Sequence, residues 1–241
     1  MLLVSTMYGC PVHCTMCDAG GSYQGNPSCD EILEQIDFLV QKRFSQNLIP
    51  SKQFKIQFSR MGEPALNPAV LEVLKKLAHR YQAPGLMPSI STVAPAGSKP
   101  FFDQLIEIKK EHYFGGRFQF QFSIHTTDEV LRDQIIPIRK WRFSEMAEFG
   151  ERYFSPGDRK ITLNFALAKS SPLQAEVLKR HFSPDKYLIK VTPINPTHRA
   201  VEMNLSSHVD ICSPQHNDEI VSALREEGYE VIVSIGNTEE N

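Results

Sequence analysis

Two hydrophobic rhythms alternate along the 241-residue chain. Short apolar or alternating runs of β type fall at Leu2–Met7, Phe54–Ser59, Met87–Thr92, Phe118–Ile124, Ile161–Ala166 and Tyr187–Pro193, with a further one at Glu230–Ile235. Between them lie amphipathic stretches with helix start signals. Ser28 and Glu31 form a capping-box pattern ahead of Ile32, Ile36, Leu39 and Val40. Asn67-Pro68 offers a cap and a first-turn proline before Val70, Leu74 and Leu77. Thr126 and Glu129 predict another capping box, and Ser213-Pro214 opens a last helix that closes before Gly228. Alternation of strand and helix predicts a parallel sheet with helices outside it. Six such units fall short of the eight-stranded barrel. The expected fold is therefore α/β, a partial (β/α)6 TIM-like barrel, with its site at the carboxyl ends of the strands.

That rule directs attention to the residues just past each strand. After the first come Cys10, Cys14 and Cys17, spaced C-x3-C-x2-C in a loop rich in Gly, Pro and Asp. Arg60-Met61-Gly62-Glu63-Pro64 follows the second strand and Ser91-Thr92 ends the third. Ser123-Ile124-His125 ends the fourth and Pro193-Ile194-Asn195-Pro196 the sixth. Three thiolates this close can hold three corners of a 4Fe-4S cluster and leave one iron open to chemistry. The same cysteines also fit half of a zinc site, with His13 and Cys29 the nearest further ligands, or a redox pair at Cys14-x-x-Cys17.

Composition narrows the setting. Apolar residues make up 41% and charged residues 22%, enough for one domain with a substantial core. A net charge of −2 gives no electrostatic case for nucleic acid or a membrane surface. Five cysteines, an odd number without a disulfide-framework spacing, point to a reducing compartment. The opening Met1–Met7 lacks the basic head of a signal peptide, and no apolar run reaches the roughly 20 residues of a membrane span. The expectation is a cytoplasmic protein with no membrane partner.

Together the motifs resemble the radical S-adenosylmethionine (SAM) superfamily. Cys10, Cys14 and Cys17 match its cluster motif, and Gly62-Glu63-Pro64 matches the GEP segment after its second strand. The likeness extends to the subgroup of RlmN- and Cfr-like enzymes, which methylate adenosine in ribosomal RNA. Met61–Asn67 is similar to that subgroup's MGEPLLN, and Ile90-Ser91-Thr92 with Pro95 to its serine–threonine turn. Phe122–His125, Arg132-Asp133 and Ile136-Pro137-Ile138 are similar to its SLHA…R…L/IVPI stretch, and Lys190–Pro196 to its NLIPFNP.

The resemblance implies a single radical SAM core over 1–241, with a cluster loop at 8–21 and a polar tail at 236–241. It implies a 4Fe-4S cluster on Cys10, Cys14 and Cys17, and SAM held by Gly62, Glu63, Ser91, Ser123, His125 and Asn195. The cluster would cleave SAM reductively to a 5′-deoxyadenosyl radical, with a one-electron reductant such as flavodoxin or ferredoxin as partner. RNA enters as a substrate by resemblance alone. Met16 stands where the superfamily usually has an aromatic residue. Cys29 and Cys212 do not match the methyl-carrying cysteine of the RNA methylases, so no catalytic residue is assigned. An iron–sulfur or zinc-binding module without catalysis is the competing expectation. Arg139-Lys140-Trp141-Arg142, the basic–aromatic cluster, could touch a nucleic acid, but the expectation is a solvated helix edge around one packed Trp.

Overall fold

Seven strands lie side by side in chain order, all parallel: β1 (Leu2–Val4), β2 (Phe54–Phe58), β3 (Leu86–Thr92), β4 (Gln119–Ser123), β5 (Ile161–Ala166), β6 (Tyr187–Thr192) and β7 (Glu230–Val233). The computed structural model describes residues 1–44, 48–209 and 218–234. Because β1 and β7 do not pair, the sheet is an open, partial barrel, as the alternation predicts, with the seventh run added in parallel at the edge of β6.

The helices between the strands are α1 (Cys29–Gln41), α2 (Ala69–Leu77), α3 (Lys99–His112), α4 (Glu129–Ile135), α5 (Phe143–Tyr153), α6 (Ala175–His181), α7 (His198–Glu202) and α8 (Asp218–Glu226). Ser28 and Glu31 form the expected reciprocal cap of α1, which buries Ile32, Leu33, Ile36 and Val40. Asn67 Oδ1 accepts the Ala69 N–H (3.0 Å) and so opens α2. At α4 the cap is Asp128 rather than Thr126. Its carboxylate accepts the N–H groups of Val130 (2.8 Å) and Leu131 (3.1 Å), while the Thr126 hydroxyl faces the Pro172 carbonyl. The expected start at Ser213-Pro214 lies outside the described residues, as do Ile235 and the tail. Among the described residues no helix is long and apolar enough to cross a membrane.

Strand alternation gives the sheet two different faces. On one, Phe54, Ile56, Phe58, Ile90, Phe120, Phe122, Ile161, Leu163, Phe165, Ile189 and Val191 share one core with the helices. Phe120 and Phe122 (ring centroids 4.8 Å apart) and Phe120 and Phe149 (5.0 Å) sit at its centre. The alternate residues line the barrel lumen and are mostly polar. By register Gln57 stands beside Ser89, Gln121 between Ser91 and Thr162, and Asn164 between Ser123 and Lys190.

Candidate functional site

The cysteine loop is fixed by its own backbone and by three distant parts of the chain. Beyond β1 the N–H groups of Thr6 and Met7 both donate to the Met61 carbonyl (2.8 and 3.2 Å). Gly9 follows at φ +79°, where a Cβ would meet the Ser22 carbonyl oxygen at 2.2 Å, so only glycine fits. The loop then returns on itself through a bridge between Cys10 and Gly20 and a turn from Cys17 N–H to the Cys14 carbonyl (3.1 Å). Thr15 N–H reaches the Ile135 carbonyl at the end of α4 (3.0 Å). The Thr197 hydroxyl donates to the Met16 carbonyl (2.9 Å), and the Asp18 carboxylate accepts the N–H groups of His198 and Arg199, both at 3.0 Å. An anion at the start of α7 is well placed there. Cys10 and Val12 pack with Val93, Ile135 and Ile136, and Cys14 and Met16 rest against that group.

Burial governs the thiols. It pushes Cys14 up to about 12, and the nearby Cys17 and Cys10 add repulsion in the same direction. Cys10 is pushed up to about 11, again chiefly by burial. Both are neutral thiols until a cation arrives to hold them as thiolates. Among the described residues no three His, Cys, Asp or Glu side chains converge tightly enough for a single ion. Three thiols close enough to help raise the pKa of Cys14 share one neighbourhood, a donor set of the kind a cluster takes.

Glu63 lies at the end of β2 beside this loop. Gly62 before it has φ +102°, and a Cβ there would come within 2.5 Å of the Met7 side chain. The Glu63 carboxylate is buried, 4% exposed. Its Oε1 accepts the Ala65 N–H (3.0 Å) and the Thr92 hydroxyl, and its Oε2 accepts the Val93 N–H (2.8 Å). Burial pushes its pKa up to about 7 against these three donors. A carboxylate can accept about four hydrogen bonds, which leaves room for one more donor on Oε2.

The other expected binding residues lie at the same end of the sheet. Ser91 accepts from the Gln121 amide (3.1 Å) on the lumen face, and Ser123 pairs in register with Asn164 of β5. His125 takes a left-handed backbone (φ +69°), and its Nδ1 accepts the Ala166 N–H (3.1 Å). Burial, then the Arg132 charge, lowers its pKa to about 4, so the imidazole is neutral with a proton on Nε2. Asn195 is exposed beyond β6, its carbonyl accepting the Thr197 N–H (2.8 Å). Arg142 is exposed, whereas Trp141 and Lys140 are packed, with Lys140 Nζ held by Asp133 (2.6 Å) and the Ile136 carbonyl (2.8 Å).

Sequence reasoning missed Thr92 and the Val93 amide as the groups that hold Glu63. It also missed the burial of Arg132, which is 1% exposed. Arg132 donates to the carbonyls of Trp141 (2.8 Å) and Val93 (3.1 Å), and its Nε has no acceptor. Its place in the quoted motif strings was the available signal.

The fold defines a class: an open, partial parallel barrel with a three-cysteine loop after its first strand. Structures of spore photoproduct lyase share the fold. One, a variant with a cysteine replaced by serine, matches with a TM-score of 0.59 at 10% identity over 97% of this chain and 76% of that one. Another, "with bound AdoMet and dinucleoside spore photoproduct", matches with a TM-score of 0.58 over 96% and 75%. The particular relatives by sequence carry the name "Probable dual-specificity RNA methyltransferase RlmN". The protein of Trichormus variabilis is 28% identical over 198 residues, 80% of this chain and 52% of its own length. That of Thermobifida fusca is 24% identical over 241 residues, 96% and 62%. The chain thus spans about half to three fifths of these relatives. No protein-family profile matches it. The resemblance read from the motifs, to the radical SAM superfamily and to RlmN-like enzymes within it, stands.

Proposed function

We propose that this chain is the core of a radical SAM enzyme. The observation that carries the reading is the three-thiol loop, pinned over the open barrel beside the buried Glu63. Cys10, Cys14 and Cys17 would hold a 4Fe-4S cluster. Gly62 and Glu63 would receive the SAM amine, and Ser91, Ser123, His125 and Asn195 its carboxylate, ribose and adenine. Bound together, cluster and SAM supply one-electron cleavage of a carbon–sulfur bond.

The chain's own part is positioning and exclusion of water. Gly9 and Gly62 let the backbone approach closely, Thr92 and Val93 hold Glu63, and the apolar group around Ile135 and Ile136 shields the thiols. A Glu63 pKa near 7 makes its carboxylate responsive to a cationic partner: an amine next to Oε2 would hold it ionised. The relatives' name brings methyl transfer to RNA as one reaction to test, with another substrate as the alternative. Cys29, the first residue of α1, is buried in the core shared with the helices rather than beside the cysteine loop. Flavodoxin or ferredoxin is the fitting electron donor, and the cytoplasm the fitting compartment.

The test is anaerobic reconstitution with iron and sulfide. About four irons and four sulfides per chain are expected, lost in Cys14→Ala. With SAM and a strong reductant, 5′-deoxyadenosine should be released. One zinc and no sulfide overturns the reading, and a full cluster that releases no 5′-deoxyadenosine reduces the chain to a cluster-carrying module.

A further inference from the structure

The lumen face of the sheet carries cations that the cofactor-binding residues leave unused. Lys55 on β2 and Lys190 on β6 alternate with the helix-packed Phe54, Ile56, Ile189 and Val191, so both point away from the core and into the barrel. Each is half-buried. Among the described residues neither forms an ion pair with any carboxylate. Glu230 on the edge strand β7, the acid whose register places it on this face, is exposed and pairs with neither. Burial pushes Lys55 down to about 8, with repulsion from Lys190 and Arg159 added, and burial also lowers Lys190. The other buried lysines of the molecule behave differently. Lys109 is neutralised by Asp158 and Lys140 by Asp133. Cations left half-buried without an acid carry a desolvation penalty that a bound anion would offset.

A second observation lies beside Lys190. Asn164 on β5 is paired in register with Ser123 on one side and Lys190 on the other. It is 9% exposed, and its Oδ1 has no hydrogen-bond donor. Apart from Ser123, which the cofactor reading takes, two adjacent strands therefore present an acceptor lacking a donor and, among the described residues, an ammonium without an ion-pair partner. A ligand that satisfies both has an oxyanion next to a hydroxyl or amine.

We propose that the lumen between β4 and β6, with Lys55 across from it, binds the acidic end of the substrate, a phosphate or carboxylate group carrying a neighbouring hydrogen-bond donor. The assignment to substrate rests on the radical SAM reading above. Two enclosed cations suit the single terminal oxyanion of a small molecule, whereas the repeated phosphates of an RNA strand call for basic residues spread along an outer surface.

The probe is inorganic phosphate, followed by the melting temperature of the full, cluster-reconstituted chain against chloride at equal ionic strength. A ligand that binds only the folded state raises the melting temperature. Phosphate is expected to raise it beyond chloride in the parent protein. Lys190→Met and Lys55→Met should each fold and melt at the same or a higher temperature in chloride, because an unpaired half-buried charge is removed. Each should bind phosphate about tenfold more weakly or worse, the loss of one charged hydrogen bond. No increment over chloride in the parent, or an increment that survives both substitutions, overturns the proposal.

Saturating SAM separates the two sources of the anion. If phosphate still adds to the melting temperature, the site is the substrate's. If SAM abolishes the increment, the lysines serve the cofactor's own carboxylate and the proposal fails. None of these readouts requires reductant or turnover. A phosphate increment in a protein that neither binds nor cleaves SAM would sink the enzyme reading while leaving the anion site standing.

Discussion

Phe122 and Ser123 are neighbours on β4, yet they belong to different molecules in the energetic sense. Phe122 faces the helices, has no exposed surface and packs against Phe120 and Phe149. Ser123 faces the lumen, is partly exposed and stands beside Asn164. The same contrast repeats along β2, β5 and β6. The helix-packed face is continuous hydrocarbon, and the lumen face is amides, hydroxyls and unpaired ammonium groups. A parallel sheet normally buries both faces in apolar contact. Here one face keeps the polarity that a ligand would need, and the other supplies the stability that this polarity withholds.

The sharpest test of that division is on β4 itself. Phe122→Ala should destabilise the protein by about 3–5 kcal/mol, the usual result for a buried aromatic residue. Ser123→Ala should change stability by less than about 0.5 kcal/mol. Urea unfolding of the pair measures both, and comparable losses would erase the distinction between the faces.

At the lip of the lumen the division should appear as binding rather than stability. Glu63→Gln removes the charge that an amine would meet, and a charge-assisted hydrogen bond contributes roughly 1.5–3 kcal/mol. SAM affinity should fall about ten- to hundredfold, with iron content unchanged because the thiols sit on a different loop. Since burial raises the Glu63 pKa to about 7 from 4.5, the ligand-free folded state holds a proton there that the unfolded chain has already lost. Stability from this group is present below 4.5 and lost as pH rises to 7, a slope that Glu63→Gln should flatten. SAM should bind more tightly as pH rises through the same range. Affinity that ignores both pH and the substitution would make Glu63 a structural acid for Thr92 and Val93 alone.

His125 tests the opposite sign. Its folded pKa of about 4 lies below the ordinary 6.5, so the folded state excludes a proton that the unfolded chain binds. The stability it contributes is present above 6.5 and lost as pH falls toward 4. His125→Gln should remove that part of the acid sensitivity in pH-dependent denaturation. A local effect is expected at Asp18. Asp18→Ala should loosen the start of α7 while Thr197 still caps it, and hydrogen exchange should show faster opening at His198 and Arg199 but not in β4.

Much of the fold was legible because strands and several helices carry local signatures. The β5 run Ile161–Ala166 has the same bounds in sequence and structure, and the Ser28 box is a local cap. What escaped notice depends on distant groups. Helix α5 starts at Arg142, where Glu129 of α4 accepts the Phe143 N–H, and α7, although its N-cap is Thr197, has its first two N–H groups held by Asp18 from the other end of the chain. At the site, the motif strings located Glu63, Ser91, Ser123 and His125 at the strand ends. They could not show that Thr92, rather than Ser91, holds Glu63, because strand alternation and twist decide which of two adjacent hydroxyls faces a neighbour. The lumen lysines were invisible for a related reason. Lys55 and Lys190 are ordinary polar positions in an alternating strand until the sheet curls and places them inside.

The bonds from Asp18 and Met16 to residues 197–199 span up to 181 positions of sequence. During synthesis the cysteine loop leaves the ribosome first, and its anchors follow about 10–40 s later at ordinary elongation rates of roughly 5–20 residues per second. For that interval the three thiols are tethered only to the earlier strands, without the α7 clamp. Loading of the proposed cluster would then be a late step of maturation, completed after β6 has joined the sheet. A chain stalled before residue 197 would present its cysteines to solvent and oxidant in an unclamped loop.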